Sequence, residues 1–70
     1  MRKLGDVKTE GVTLNNMGNV YYSLGQHPKA LEYYEKALAI TRKLGDLKSE
    51  GVTLNNMGNL YYSLGQHPKA

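Results

Sequence analysis

Asparagine stands out among the residues of this chain that could do chemistry. Asn15, Asn16 and Asn19 sit one turn apart beside Tyr22, and the set returns as Asn55, Asn56, Asn59 and Tyr62. An amide side chain carries both a donor and an acceptor, so it can pair with the peptide unit of a ligand whatever the ligand's own side chains are. The chemistry such a pattern offers is recognition of a polypeptide backbone. Asparagine is also a poor helix former, and three in one helix cost on the order of 1.5 to 2 kcal/mol relative to alanine. A local preference broken so consistently marks a functional face. The competing use for these amides is to hydrogen-bond neighbouring helices or water.

The other reactive groups point to no catalysis. There is no cysteine, and the two histidines, His27 and His67, are copies of one another a whole repeat apart. A metal site needs several converging ligands, so neither a metal nor a cofactor is expected. Glu32 and Glu35 lie beside Lys36 at ordinary surface spacing,. No glycine-rich phosphate loop and no set of nucleophile, base and orienting group is present, and the chain is not expected to be an enzyme.

The elements that position the asparagines follow from an internal repeat. Residues 41–70 repeat residues 1–30 at an offset of 40, with four differences: Met1/Thr41, Val7/Leu47, Thr9/Ser49 and Val20/Leu60. Gly25-Gln26-His27-Pro28 and Gly45-Asp46 interrupt the pattern. Glycine after an apolar-periodic stretch reads as a helix stop, and proline just beyond it suits the first turn of the next helix. Three helices are predicted, at about residues 7–24, 28–44 and 47–64, with Asp6 and Asp46 as N-caps of the first and third.

On the first helix Leu14, Met17, Gly18, Tyr21 and Leu24 form one stripe of 3.6-residue period, repeated on the third as Leu54, Met57, Gly58, Tyr61 and Leu64,. Val12, Asn15, Asn16, Asn19, Tyr22 and Ser23 lie opposite. Ala30, Tyr34, Ala37, Leu38, Thr41 and Leu44 make the apolar face of the second helix, which Leu31, Tyr33 and Ile40 broaden enough to require neighbours on two sides. Gly18, on the buried stripe opposite Ala30 and Ala37, predicts close backbone approach between the first two helices. Gly11 predicts either contact with a preceding repeat or a late helix start.

Seventy residues make one small domain, and a chain of that size buries only about 60% of its unfolded surface. The net charge of +3 is a weak sign of nucleic-acid binding, because residues 11–50, one full repeat, carry five basic and four acidic side chains,. No apolar run reaches the roughly 18 residues of a membrane span, and no apolar signal segment opens the chain. A cytoplasmic location is expected.

Asn15-Asn16-Met17-Gly18-Asn19, Tyr21-Tyr22, Leu24-Gly25, Lys29 to Tyr34 and Lys36-Ala37-Leu38 together resemble the tetratricopeptide repeat, with Leu14, Gly18, Tyr21, Ala30, Tyr34 and Ala37 at its signature core positions. The usual repeat spans about 34 residues and closes with proline. Here the period is 40 and Arg42 takes the proline's place, which resembles the longer-period form seen in kinesin light chain, in Pins-type scaffolds and in bacterial signalling arrays. The resemblance implies an all-α solenoid of antiparallel helix-turn-helix units that acts as a protein-interaction scaffold. It implies a groove lined by the first-type helices, in which Asn15, Asn16, Asn19, Tyr22, Asn55, Asn56, Asn59 and Tyr62 meet a peptide. Packed helices lie about 8 to 10 Å apart and an extended peptide advances about 3.3 Å per residue, so equivalent asparagines would meet every third peptide residue.

One and a half units are fewer than solenoids need. The reading therefore expects a fragment of a longer array, lacking the counterpart of Leu31 to Ile40. It also expects a homodimer or higher homo-oligomer that covers Leu54, Met57, Tyr61 and Leu64, either by face-to-face packing or by helix exchange. The alternative function is structural self-assembly with no ligand.

Overall fold

The computed structural model describes residues 4–65, and the side chains of residues 6–65. It contains three α-helices: α1 (Leu4–Ser23), α2 (His27–Leu44) and α3 (Leu47–Ser63). α2 packs along α1 and, less extensively, against α3, while α1 and α3 touch at fewer points. This is the all-α helical repeat that the periodicity predicts, with α2 as the middle helix.

The breaks are made by backbone hydrogen bonds around a left-handed glycine. Gly25 has φ 78° and Gly45 φ 69°, values that a residue without Cβ adopts at little cost,. At the first break Gly25 N–H donates to the Tyr22 carbonyl at 3.0 Å and Gln26 N–H to the Tyr21 carbonyl at 2.9 Å. At the second, Gly45 N–H donates to Arg42 and Asp46 N–H to Thr41, at 3.2 and 2.9 Å. Both are Schellman motifs, which satisfy carbonyls that a helix end otherwise leaves unpaired. Asp46 then caps α3, its Oδ1 accepting from Ser49 N–H at 3.2 Å. Hydrogen bonding from the Ser49 side chain, and then from its backbone N–H, holds the Asp46 carboxyl below its ordinary value. Arg42 Nε donates to Glu50 Oε2 at 3.0 Å and ties the end of α2 to the start of α3.

Asp6 does not cap α1. The helix starts at Leu4, so Asp6 lies inside the first turn, where a negative charge still favours the helix dipole,. Leu24 also departs from expectation: the helix stops at Ser23, and Leu24 is 63% exposed.

The core centres on Tyr34. Its side chain is fully buried, as are Ala30 and Ala37, and Leu38 and Thr41 continue the face. A Cβ added at Gly18 would lie 2.5 Å from Tyr34 Cδ1, so the gap left by the glycine is filled by a ring and not by the backbone of α2. The phenol donates to Asn19 Oδ1 at 2.5 Å. Gly11 serves a similar purpose one turn-pair earlier, since its missing Cβ makes room for Ile40, 3.0 Å away at Cγ2. The glycine therefore receives a side chain of α2, neither a preceding repeat nor a frayed start.

Leu60 closes the core from the side of α3. It is fully buried, whereas its counterpart Val20 is 56% exposed. Met57 and Tyr61 are half-buried and pack against the cluster of Ala30, Tyr34 and Leu60. On the outer surface the Tyr21 and Tyr33 rings stack at 5.3 Å, with Lys29 over the first and Lys36 over the second.

Two predictions follow from the Tyr34 seat. Gly18→Ala forces the ring to move and lowers stability by about 1 to 3 kcal/mol, whereas Gly58→Ala, with nothing within 4 Å of the added Cβ, raises it by up to about 1 kcal/mol. Urea melts of the two variants check both the sign and the contrast. Burial, with a smaller contribution from Tyr22, pushes the Tyr34 phenol above its ordinary value. The unfolded chain therefore releases this proton first. Stability due to this group is complete below about pH 10 and is lost as pH rises from there through the folded-state value. A thermal-melt series from pH 8 to 11, at values of about one unit's spacing, shows a drop that Tyr34→Phe reduces.

Candidate functional site

The predicted asparagine face divides between helix-to-helix bonds and open surface. Asn15 Oδ1 accepts from Thr53 Oγ1 at 3.3 Å and from Asn56 Nδ2 at 3.2 Å. Asn19 accepts from Tyr34. Tyr22 reaches across to α3, where its hydroxyl donates to the Asn59 backbone carbonyl at 3.3 Å and pairs with Ser63 Oγ at 2.5 Å. For Asn15, Asn19, Asn56 and Tyr22 the structure thus shows the use of bonding to neighbouring helices.

These bonds spend the acceptor oxygens of Asn15 and Asn19 first. Each amide nitrogen still has two N–H groups to offer. Asn16, Asn55 and Asn59 have exposed side chains, and Tyr62 is 69% exposed. Asn16 and Asn59 lie along α1 and α3 one to two turns beyond Val12 and Val52, both about half exposed.

Between the two valines lies a mostly apolar cleft of about 200 Å³, floored by Ile40 and Leu44 of α2 and bounded by Gly11 and Thr53. An apolar space of about 150 Å³ holds a benzene ring, so this cleft has room for one aromatic or branched aliphatic side chain. Lys8 and Asp46 stand at its edge, 4.0 Å apart. The periodicity could not reveal the cleft, because its floor comes from the last turns of α2 and its walls from two helices separated by that whole element. The one available clue was the pair of solvent-facing valines, Val12 and Val52, at identical places in the two copies.

Leu54, Met57, Tyr61 and Leu64 do not form one open stripe. Leu54 and Leu64 are 44% and 40% exposed, while Met57 and Tyr61 contribute to the chain's own core. His27 opens α2 and is half-buried, its ring 5.2 Å from that of Tyr22. His67 lies outside the described residues. Among the described residues no three His, Cys, Asp or Glu side chains gather as a metal ion requires, and no helix is long and apolar enough to cross a membrane.

No curated protein and no solved structure matches the chain. The family model of the tetratricopeptide repeat matches residues 9–70. That span takes in the Gly18–Tyr34 seat, both glycine breaks and the α1–α3 contacts, and the chain belongs to the tetratricopeptide repeat family, whose repeats mediate protein–protein interaction.

Proposed function

We propose that the chain binds an extended peptide segment of a protein partner across the surface shared by α1 and α3. The observation that carries this reading is the apolar cleft between Val12 and Val52, flanked by amides on both helices. One apolar side chain of the peptide enters the cleft. Its neighbouring peptide units meet Asn16 and Asn59, whose side chains are exposed, and the remaining N–H groups of Asn15, Asn19 and Asn56. Asn55 and Tyr62, exposed on the same helix, extend the contact surface. Desolvating the anchor supplies affinity, and the amides supply orientation without demanding a particular sequence.

Self-association is the second reading, and the observation favouring it is the exposure of Leu54 and Leu64 on another side of α3. The two readings use different surfaces. Because Asn19 and Asn56 are built into the fold, their replacement mixes binding with stability, and the informative substitutions are elsewhere.

A peptide-array screen of the chain is expected to recover extended peptides with a recurrent aromatic or branched aliphatic residue. Val52→Asp places a charge at the cleft mouth and lowers affinity for such a peptide by about tenfold or more. Asn16→Ala with Asn59→Ala lowers it by a further several-fold, about 1 kcal/mol per lost hydrogen bond, with helicity unchanged or higher. Equal binding by all of these variants rejects the groove. Undiminished peptide binding by Val52→Asp, together with loss of a concentration-dependent oligomer in Leu54→Asp, moves the assignment to self-association.

A further inference from the structure

Tyr21 of α1 and Tyr33 of α2 are the stacked pair of rings among the described residues, with centroids 5.3 Å apart and planes 11° from parallel. Rings in face contact lie about 3.5 Å apart, so the pair is slipped sideways by about 4 Å and overlaps edge over edge. Lys29 Nζ stands 5.2 Å from the Tyr21 centroid and Lys36 Nζ 5.1 Å from that of Tyr33. Lys29 belongs to α2 and reaches the ring of α1, so its attraction for that ring holds the pair together across the helix boundary. Both rings are half-buried. Part of each is packed, and the rest is open to small molecules in the solvent.

A tyrosine that gives up one electron, with its phenolic proton passing to water, becomes a neutral radical. The unpaired spin lies on the oxygen and on the ortho and para carbons, and the para carbon is blocked by Cβ. New carbon–carbon bonds therefore form at the ortho carbons, on the ring edges, and the stack lays two such edges over one another. Composition directs one-electron oxidation to this residue type, since the chain has six tyrosines and neither cysteine nor tryptophan. Methionine reacts instead by oxygen transfer to the sulfoxide. Of the other tyrosines, Tyr34 is fully buried with its hydroxyl on Asn19, and the Tyr22 hydroxyl is engaged by α3.

We propose that Tyr21 and Tyr33 are a site of oxidative cross-linking, coupled ortho carbon to ortho carbon by hydrogen peroxide acting through a one-electron oxidant of the haem-peroxidase class. Each ring loses one electron to the oxidant and one phenolic proton to water. The two radicals join in one carbon–carbon bond. Each ortho carbon then releases its hydrogen as a proton while the oxygen of the same ring takes one up, which restores two aromatic phenols. In sum the side chains lose two hydrogen atoms, and one peroxide takes up two electrons and two protons to become two water molecules. The ammonium groups of Lys29 and Lys36 do not oppose the reaction, because the radicals are neutral.

The product is a covalent staple in a chain that has no cysteine. It closes the loop of residues 21–33 across the break at Gly25 and so restrains the unfolded chain. Neither tyrosine lines the cleft between Val12 and Val52, and failure of either assignment leaves the other standing.

The test treats the full 70-residue chain, in dilute solution, with a haem peroxidase and hydrogen peroxide. The expected product keeps the mass of a single chain less two hydrogen atoms and gains the fluorescence of a biphenol. After trypsin, residues 9–29 and 30–36 are recovered as one linked species. The linked chain melts about 5 to 15 °C higher than the untreated one. Tyr33→Phe keeps a ring in the stack but cannot form the radical, and it reduces the linked species to background with helicity unchanged. Tyr21→Phe does the same, whereas Tyr62→Phe, at an exposed position, leaves the yield as it was. Absence of the linked species, or its undiminished yield in Tyr21→Phe or Tyr33→Phe, overturns the proposal. So does coupling confined to Tyr62 of different molecules, or oxidation that stops at the sulfoxides of Met17 and Met57.

Discussion

One phenol ring sets the terms for the rest of this structure. Tyr34 is too large to lie between two ordinary helices, so α1 must be without a side chain at the point of contact, and Gly18 meets that demand. The ring's hydroxyl cannot be buried unpaired, so an acceptor must stand beside the gap, and Asn19 provides it,. Two poor helix formers in succession are thereby explained by a single neighbour. Ala30 and Ala37, a turn to either side of the tyrosine, are small enough to let the helices close around it. Leu60, Met57 and Tyr61 pack on the same cluster, so the position of α3 also depends on the ring.

The asparagines consequently hold two kinds of position. Some bind the helices to one another: Asn15 to Thr53 and Asn56, and Asn19 to α2. Others, Asn16, Asn55 and Asn59, remain on the surface. Under the proposed peptide reading the first kind is not lost to recognition. An amide whose oxygen is committed to a neighbouring helix has a fixed plane and presents donors only, so a ligand meets an oriented group rather than a rotating one. Preorganisation of that sort reduces the ordering cost of binding.

Much of the backbone plan was legible in the residues. Glycine, proline and the 3.6-residue period placed three helices and their order, and the burial of Ala30, Tyr34, Ala37, Leu38 and Thr41 on one face of α2 follows from spacing alone. What could not be read was anything set by partners distant in the chain. Leu-Gly-Asp occurs at 4–6 and at 44–46, yet the first stretch is helical and the second breaks a helix. The second break is held by the Thr41 and Arg42 carbonyls at the end of α2. Similarly, Val20 and Leu60 look like an exchange of one aliphatic for another. Only the packing shows that the extra carbon of Leu60 lies in the core while Val20 faces outward. The face proposed for recognition suffered most, since a helical wheel does not show which neighbour an amide will find.

Asp46 belongs to two helices at once. Its N–H completes the motif that ends α2, and its carboxylate begins α3. The connection between the two helices is therefore as short as a hinge with a single pin, and the relative direction of α2 and α3 is governed by the backbone angles at Gly45 and Asp46. A residue inserted at that point would separate the two tasks and break both together. In a stack of such units, any small change in those angles would be multiplied from one unit to the next, so the pitch of a superhelix built this way is written at a dipeptide.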